Sequence, residues 1–162
     1  MTILVPMPAA HFDAFAEAAA TSHAADNVAS GRWLESEAEG LARSELARLL
    51  PRGPATPEHH FYEIKLEATA PALGFVWFAA IPRGSARLAF VFQLFVYPQF
   101  RRQGHGKAAL LQVETLAHGL GLAGVALNVF ASNAQAQSLY RSLGYVVTSL
   151  SMQKQLPQSR VA

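Results

Sequence analysis

Apolar residues recur at helical spacing in the first fifty positions of the chain. Phe12, Phe15, Ala16 and Ala19 follow the i, i+3, i+4, i+7 pattern of one helix face, and a second such face runs through residues 34–49. The polar stretch 22–31 between them predicts a turn. The β-branched and aliphatic run 2–5, which two prolines follow, predicts a short first strand.

The middle of the chain changes to strand spacing. After a predicted loop over residues 51–60, Tyr62, Ile64 and Leu66 alternate with charged residues, which is the period of a strand. A second apolar run covers residues 73–81, and residues 82–85 predict a hairpin turn. Residues 86–97 are almost continuously apolar, which favours a central strand covered on both faces.

Helical spacing returns over residues 109–120, and a strand is predicted over 125–130. The next helix opens with a capping box of Ser132 and Gln135 and ends at Gly144. Residues 145–156 predict a final strand. The order β-α-α-β-β-β-α-β-α-β predicts one α/β (mixed α+β) domain over residues 1–162, with helices on both faces of its sheet.

Composition excludes several classes of protein. The 162 residues contain no cysteine, which excludes disulfides, thiolate zinc sites and a cysteine nucleophile. The net charge is only +2 and the basic residues are scattered, so we expect no nucleic-acid partner. No apolar run approaches the roughly 20 residues of a membrane span, and the first residues lack the basic region of a signal peptide. We therefore expect a cytoplasmic protein without a membrane partner.

The strongest chemical signal lies between the buried strand and the following helix. There the sequence reads Arg101-x-x-Gly104-x-Gly106. Two glycines let the backbone approach a ligand closely, and the unpaired first-turn amides with the helix dipole favour an anion such as a pyrophosphate. Arg101, Arg102 and Lys107 add positive charge. The spacing fits neither a Walker loop nor a dinucleotide-binding motif, and a plain glycine-rich corner is the alternative.

Two ordered motifs lie in the second half of the chain. The first comprises Val96, Pro98, Arg101, Gly104 and Gly106. The second, some thirty residues later, comprises Asn133, Ala136, Tyr140, Gly144 and Tyr145. In this order and spacing they resemble the motifs of the GNAT superfamily of acyl-CoA-dependent N-acyltransferases. The good match covers residues 73–155, and the order of elements in the whole chain agrees with it.

The resemblance implies a mostly antiparallel sheet, splayed open between the strand that ends near residue 97 and the strand over 125–130. Acetyl-CoA would lie in the gap as co-substrate, with no metal. The strand before the glycine loop would bulge and pair its freed backbone with the pantetheine arm. The implied contacts of the arm are Leu94, Phe95 and Val96. The pyrophosphate would be held by Arg101 and by the backbone amides of Arg102, Gln103, Gly104, His105, Gly106 and Lys107. Asn133 would bind the arm or the diphosphate end. Tyr140 matches the family tyrosine that donates a proton to the departing thiolate.

The general base is not apparent in the sequence. The positions where many relatives carry a glutamate hold Phe92, Gln93 and Asn128, none of which titrates. Glu63 and Glu67 lie on a strand with alternating polarity, where a solvated face is the favoured interpretation. His59 and His60 have suitable intrinsic pKa values but are expected at a loop edge, pointing opposite ways, and His105 is expected to line the cofactor groove.

The acceptor is equally open. An acidic cluster near the helix–helix turn, formed by Asp26, Glu35, Glu37 and Glu39, would attract a cationic amine or serve as an ordinary solvated helix start. Three functions therefore compete. They are acetyl transfer from acetyl-CoA to a primary amine in a ternary complex, a non-catalytic acyl-CoA-binding or regulatory module, and a domain for another phosphate ligand. A homodimer is left open.

Overall fold

A computed structural model describes residues 1–159. Within these residues one sheet contains five strands in sequential order, β1 (Ile3–Pro6), β2 (His59–Lys65), β3 (Gly74–Arg83), β4 (Ala86–Val96) and β5 (Val125–Leu127). The first four strands pair antiparallel, and β5 pairs parallel to β4. The predicted mixed α/β fold with a mostly antiparallel sheet is confirmed.

Helices cover both faces of the sheet, as predicted. The helices are α1 (Phe12–Ala29), α2 (Glu35–Leu49), α3 (His105–Gly119) and α4 (Ala134–Ser142). Alternate residues of β3 point to opposite faces: Phe75 and Trp77 pack against α1, whereas Val76 and Phe78 pack against α3. The apolar run in this strand therefore reflects burial on both sides.

The predicted turn over residues 22–31 is wrong, because α1 continues through it to Ala29. Two of its alanines, at 20 and 24, pack against alanines of α2. The Asn27 side chain is fully buried and donates from Nδ2 to the backbone oxygen of His23 at 2.8 Å. Tertiary contacts thus outweigh the weak helix propensity of these polar residues. The turn comes later, at Gly31, whose φ is +76°.

The sheet opens between β4 and β5. Trp77 pairs with Gln93 and Phe78 pairs with Val91, so Phe92 is an extra residue in β4, a β-bulge. Pairing with β5 ends at Val91 and Leu127, immediately before that bulge. The strand predicted over 125–130 is therefore shorter than expected, because the bulge turns β4 away from its partner. The predicted bulge and splay are both present.

Two predictions near the C-terminus are wrong. Residues 145–156 form no strand, since after Tyr145 no backbone hydrogen bond to the rest of the described chain is made and β5 offers only three residues of edge. The N-cap of α4 is Asn133 rather than Ser132, because the Asn133 side chain accepts a hydrogen bond from the Ala136 N–H at 3.1 Å.

No helix in residues 1–159 has the length and apolarity to cross a membrane.

Candidate active site

The outer edge of β4 beyond the bulge presents backbone groups to the gap. The Tyr97 N–H donates to the Leu73 oxygen at 2.9 Å, so Tyr97 directs its backbone groups toward the β3 side. Because backbone direction alternates along a strand, Phe95 also directs its groups to β3, whereas Leu94 and Val96 direct theirs into the gap. Of the three residues predicted to contact a pantetheine arm through their backbone, two have the required orientation.

A glycine in β3 sets the position of this edge. A Cβ added at Gly74 would lie 2.0 Å from the Phe95 oxygen and 2.8 Å from the Val96 Cα. No side chain fits between the strands here, so the close approach of β3 and β4 depends on this glycine. The motif pattern did not indicate Gly74, because the requirement arises from strand pairing and not from local sequence.

The glycine loop ends in a row of unpaired backbone amides. Gly104 is the N-cap of α3, with φ of +85°, and Ala108 is the first residue whose N–H bonds back to it. Among residues 1–159, none accepts a hydrogen bond from the six consecutive N–H groups of residues 102–107. Nothing lies within 4 Å of a Cβ placed on Gly104 or Gly106. Free donors, open space and the helix dipole together are the features that suit an anion.

The cationic side chains of the loop have different positions. Arg101 donates from Nε to the Val96 oxygen at 2.8 Å, and its guanidinium lies 5.4 Å from the centre of the Phe95 ring. Arg101 therefore braces the end of β4. Arg102 has φ of +63° and lines an open groove whose other wall is the exposed face of α4. Lys107 is exposed.

The remaining loop side chains bond within the chain. His105 hydrogen-bonds through Nδ1 to the Thr2 hydroxyl at 2.8 Å, which ties α3 to the start of the chain. Gln103 donates to the Gln99 oxygen at 3.4 Å. For both residues the backbone N–H, and not the side chain, is the group left free for a ligand.

Tyr140 is held by its ring and has a free hydroxyl. The ring packs against the core cluster on the α3 side of the sheet and lies 5.9 Å from the Tyr145 ring. No described residue hydrogen-bonds the hydroxyl, and solvent reaches it. Burial of the ring, with the nearby Asp26 carboxylate, raises the pKa of Tyr140. The phenol therefore stays protonated at neutral pH and can donate.

An aromatic row occupies the other face of the sheet at the bulge. It consists of Phe61, Trp77 and Phe92, whose rings stack in that order at 6.0 and 4.6 Å, with His59 beside Trp77. His59 and His60 are the first two residues of β2, at the edge of the preceding loop as predicted, and they point to opposite faces, with His60 stacking on Phe78 at 4.9 Å. Phe92, at the bulge, is therefore one ring of an apolar cluster and cannot accept a proton.

Glu63 corrects another expectation. Its side chain is buried, not solvated, and is 2.6 Å from His11 Nδ1 and 3.0 Å from Lys65 Nζ. Burial opposes its charge, but Lys65 and His11 outweigh that cost and hold the pKa of Glu63 below its ordinary value. A carboxylate engaged in this way stabilises the fold and is not a base for catalysis.

The acidic cluster separates in three dimensions. Asp26 lies near the end of α1, and its carboxylate is close enough to interact electrostatically with Arg101 and with the Tyr140 hydroxyl. Partial burial raises the pKa of Asp26, and His23 and Arg101 oppose that rise. Glu37 and Glu39 serve α2, by accepting from the Leu34 N–H and by pairing with Arg43. Of Asp26, Glu37 and Glu39, Asp26 alone therefore lies near residues of the gap. Across residues 1–159, no three His, Asp or Glu side chains gather as metal ligands would.

Comparison with known proteins agrees with this geometry. The uncharacterized N-acetyltransferase YycN of Bacillus subtilis is 33% identical over 157 residues, which cover 96% of this chain and 100% of YycN. Its crystal structure matches with a TM-score of 0.90 over 98% of this chain and 100% of that one. The uncharacterized N-acetyltransferase YdgE of the same organism is 32% identical, covering 94% of this chain and 97% of YdgE.

A more distant structure shows the same fold with a ligand. AAC(6')-Iy, solved with the bisubstrate analog CoA-S-monomethyl-acetylneamine, is 15% identical and has a TM-score of 0.64, over 98% of this chain and 99% of that one. The family pattern of the acetyltransferase (GNAT) family matches residues 26–145, most of the chain. With the glycine loop, the bulged strand and the open sheet, these matches establish that the chain belongs to the GNAT family of acetyltransferases.

Proposed function

We propose that this acetyltransferase moves the acetyl group of acetyl-CoA directly to a primary amine while both substrates are bound. The observation that carries the proposal is the row of six free amides at the start of α3, beside the strand edge that the Phe92 bulge frees. The first feature suits a pyrophosphate and the second suits an amide-bearing arm. Their adjacency suits CoA better than a simple phosphate or nucleotide.

Each cofactor contact has a defined group on this chain. The amides of residues 102–107 would hold the pyrophosphate, with Arg102 and Lys107 adding charge from the rim of the groove. The pantetheine amides would pair with the backbone groups of Leu94 and with the N–H of Val96. Phe95 and Arg101 would act by keeping that edge in place, since Phe95 pairs with β3 and Arg101 occupies the Val96 oxygen. The Asn133 carboxamide would bind with the hydrogen atoms that its cap contact leaves free.

The chemistry needs a proton donor for the leaving thiolate and a neutral amine. Tyr140 supplies the first, because its ring is fixed and its protonated hydroxyl is unpartnered. No carboxylate stands at positions 92, 93 or 128 to deprotonate the amine. The free amine fraction in solution therefore supplies the nucleophile, and the rate should rise with pH until the amine is largely neutral.

The competing function is an acyl-CoA-binding module without catalysis, which the absent carboxylates favour. Release of free CoA thiol, measured over a panel of primary amines, separates the two: we expect amine-dependent release well above that of acetyl-CoA alone. Tight acetyl-CoA binding with no release on any amine would support the binding module. Thermal stabilisation by ATP or NAD equal to that by CoA would instead indicate a nucleotide site.

We further propose that the protein forms a homodimer and works in the cytoplasm. The support for a dimer is the segment after α4, where Val146, Leu150 and Met152 are 77–90% exposed and lack packing partners in the described chain. A second copy would cover them. The support for the cytoplasm is the absence of cysteine. Light scattering at micromolar concentration tests the dimer: a monomer mass would refute it.

A further inference from the structure

The His59 ring is held in a single protonation state by a neighbour that can only donate. The indole nitrogen Nε1 of Trp77 lies 2.8 Å from His59 Nδ1. Indole has one N–H and no acceptor, so Nδ1 must offer its lone pair and the imidazole proton must lie on Nε2. Protonating Nδ1 would set two N–H groups against each other. His59 is therefore neutral, as the Nε2–H tautomer, while this contact persists.

His59 also lies beside the place where the sheet opens. Its ring is 5.7 Å from that of Phe92, the bulge residue, at an interplanar angle of 29°. Phe61 lies nearly parallel on the same strand, at 6.4 Å and 17°. The aromatic row thus fixes the orientation of the imidazole and places it on the face of the sheet opposite α3.

The proton on Nε2 has no acceptor within residues 1–159, although solvent reaches that nitrogen. The neighbouring titratable groups do not supply one. His60 points to the opposite face, and Glu63 is engaged by His11 and Lys65. Burial and the adjacent His60 lower the pKa of His59, in agreement with the neutral state that Trp77 imposes. A rigid, solvent-accessible donor therefore stands among apolar rings near the gap.

We propose that His59 is not the general base but a fixed Nε2–H donor that binds an oxygen of the acceptor. The acceptor is then an amine with a carbonyl or carboxylate oxygen close to its amino group. Trp77 is buried against α1, and the half-buried rings of Phe61 and Phe92 beside His59 offer apolar contact for the rest of the molecule. This inference rests on the proposed acetyl transfer, because it concerns the second substrate of that reaction.

Nitrogen NMR of ring-labelled histidine tests the protonation state without any substrate. We expect His59, assigned by the loss of its signals in His59→Gln, to keep the neutral Nε2–H signature below pH 6.5, where an ordinary histidine becomes charged. In Trp77→Phe, which removes the indole donor and keeps a ring, His59 should become charged at a higher pH than in the wild-type protein, although burial and His60 still lower its pKa. An Nδ1–H tautomer or an ordinary titration in the wild-type protein would overturn the proposal.

Kinetics with matched acceptors test the binding role. Phenylalaninamide and phenylalanine carry a carbonyl and a carboxylate beside the amine, and phenethylamine carries neither. We expect at least one of the first two to have the higher kcat/KM when each value is expressed per concentration of neutral amine. For that acceptor His59→Ala should raise KM about two- to tenfold, the range for one hydrogen bond, and His59→Gln, which keeps an N–H, should recover part of the loss. The KM of acetyl-CoA should not change.

The possible results distinguish a failure of this inference from a failure of the proposed acetyl transfer. Equal use of phenethylamine, transfer only to amines outside this set, or a fall in kcat rather than a rise in KM would refute the binding role of His59. Absence of transfer to every amine would instead refute the proposed function, and the NMR result would still decide the state of His59.

Discussion

Replacing Gly74 with alanine tests whether the close approach of β3 and β4 positions the cofactor edge. The new Cβ would lie 2.0 Å from the Phe95 oxygen, whereas ordinary contacts are 3.4–4 Å. The strands must separate locally by more than 1 Å. Such overpacking costs about 1–3 kcal/mol, and a chain of this size loses roughly 2–4 °C in Tm for each kcal/mol. We therefore expect a Tm lower by about 2–12 °C.

The same displacement should weaken acetyl-CoA binding, because Leu94 and Val96 direct their backbone groups outward from the displaced segment. Differential scanning calorimetry gives the Tm, and titration of the folded variant at low temperature gives the affinity. Gly40→Ala is the matched control. A Cβ there, in the middle of α2, meets nothing within 4 Å, so this variant should be as stable as wild type or more so, by up to about 1 kcal/mol. If Gly74→Ala melted and bound acetyl-CoA like Gly40→Ala, the strand pairing described above would be wrong.

Two further predictions concern protonation. Tyr140→Phe should lower kcat roughly ten- to several-hundred-fold, a modest loss because a thiolate is a fairly good leaving group without protonation. The affinity for acetyl-CoA, measured by calorimetry, should not change. An unchanged kcat would mean that Tyr140 is a packing residue. The pKa of Glu63 is held below its ordinary value in the folded protein. As the pH falls below about 4.3, the unfolded state therefore binds more protons than the folded state. Urea unfolding from pH 7 to 3 should show stability decreasing there, more gently in Glu63→Gln, and equal slopes would refute the stabilising role of the Glu63 ion pairs.

The features that sequence could predict are those set by local pattern. The glycine loop needs Gly104 at a positive φ, and the strand before it needs a continuous apolar run, so both could be found from spacing alone. The extent of α1 could not, because Asn27 is favourable in a helix only once its side chain is buried against its own helix turn.

The environment of the site depends on strand register. The pairing of His59 with Trp77 joins positions 18 residues apart through β2 and β3, and no local pattern specifies it. Glu63 looked solvated because its neighbours alternate, yet His11, which is 52 residues away, covers it. The final strand was predicted from its composition, but strand formation needs a partner edge, and β5 provides only three residues.

Calorimetric titration of Gly106→Val with acetyl-CoA tests the cofactor site most directly. A Cβ at Gly106 meets nothing within 4 Å of the protein, so the variant should fold, and the new side chain should stand where the loop amides meet the pyrophosphate. Gly119→Val, at the other end of the same helix and equally unobstructed, is the control. We predict at least a tenfold loss of affinity for Gly106→Val, about 1.4 kcal/mol or more, and wild-type affinity for Gly119→Val. Equal affinities in the two folded variants would contradict the assignment of the glycine loop as the pyrophosphate site.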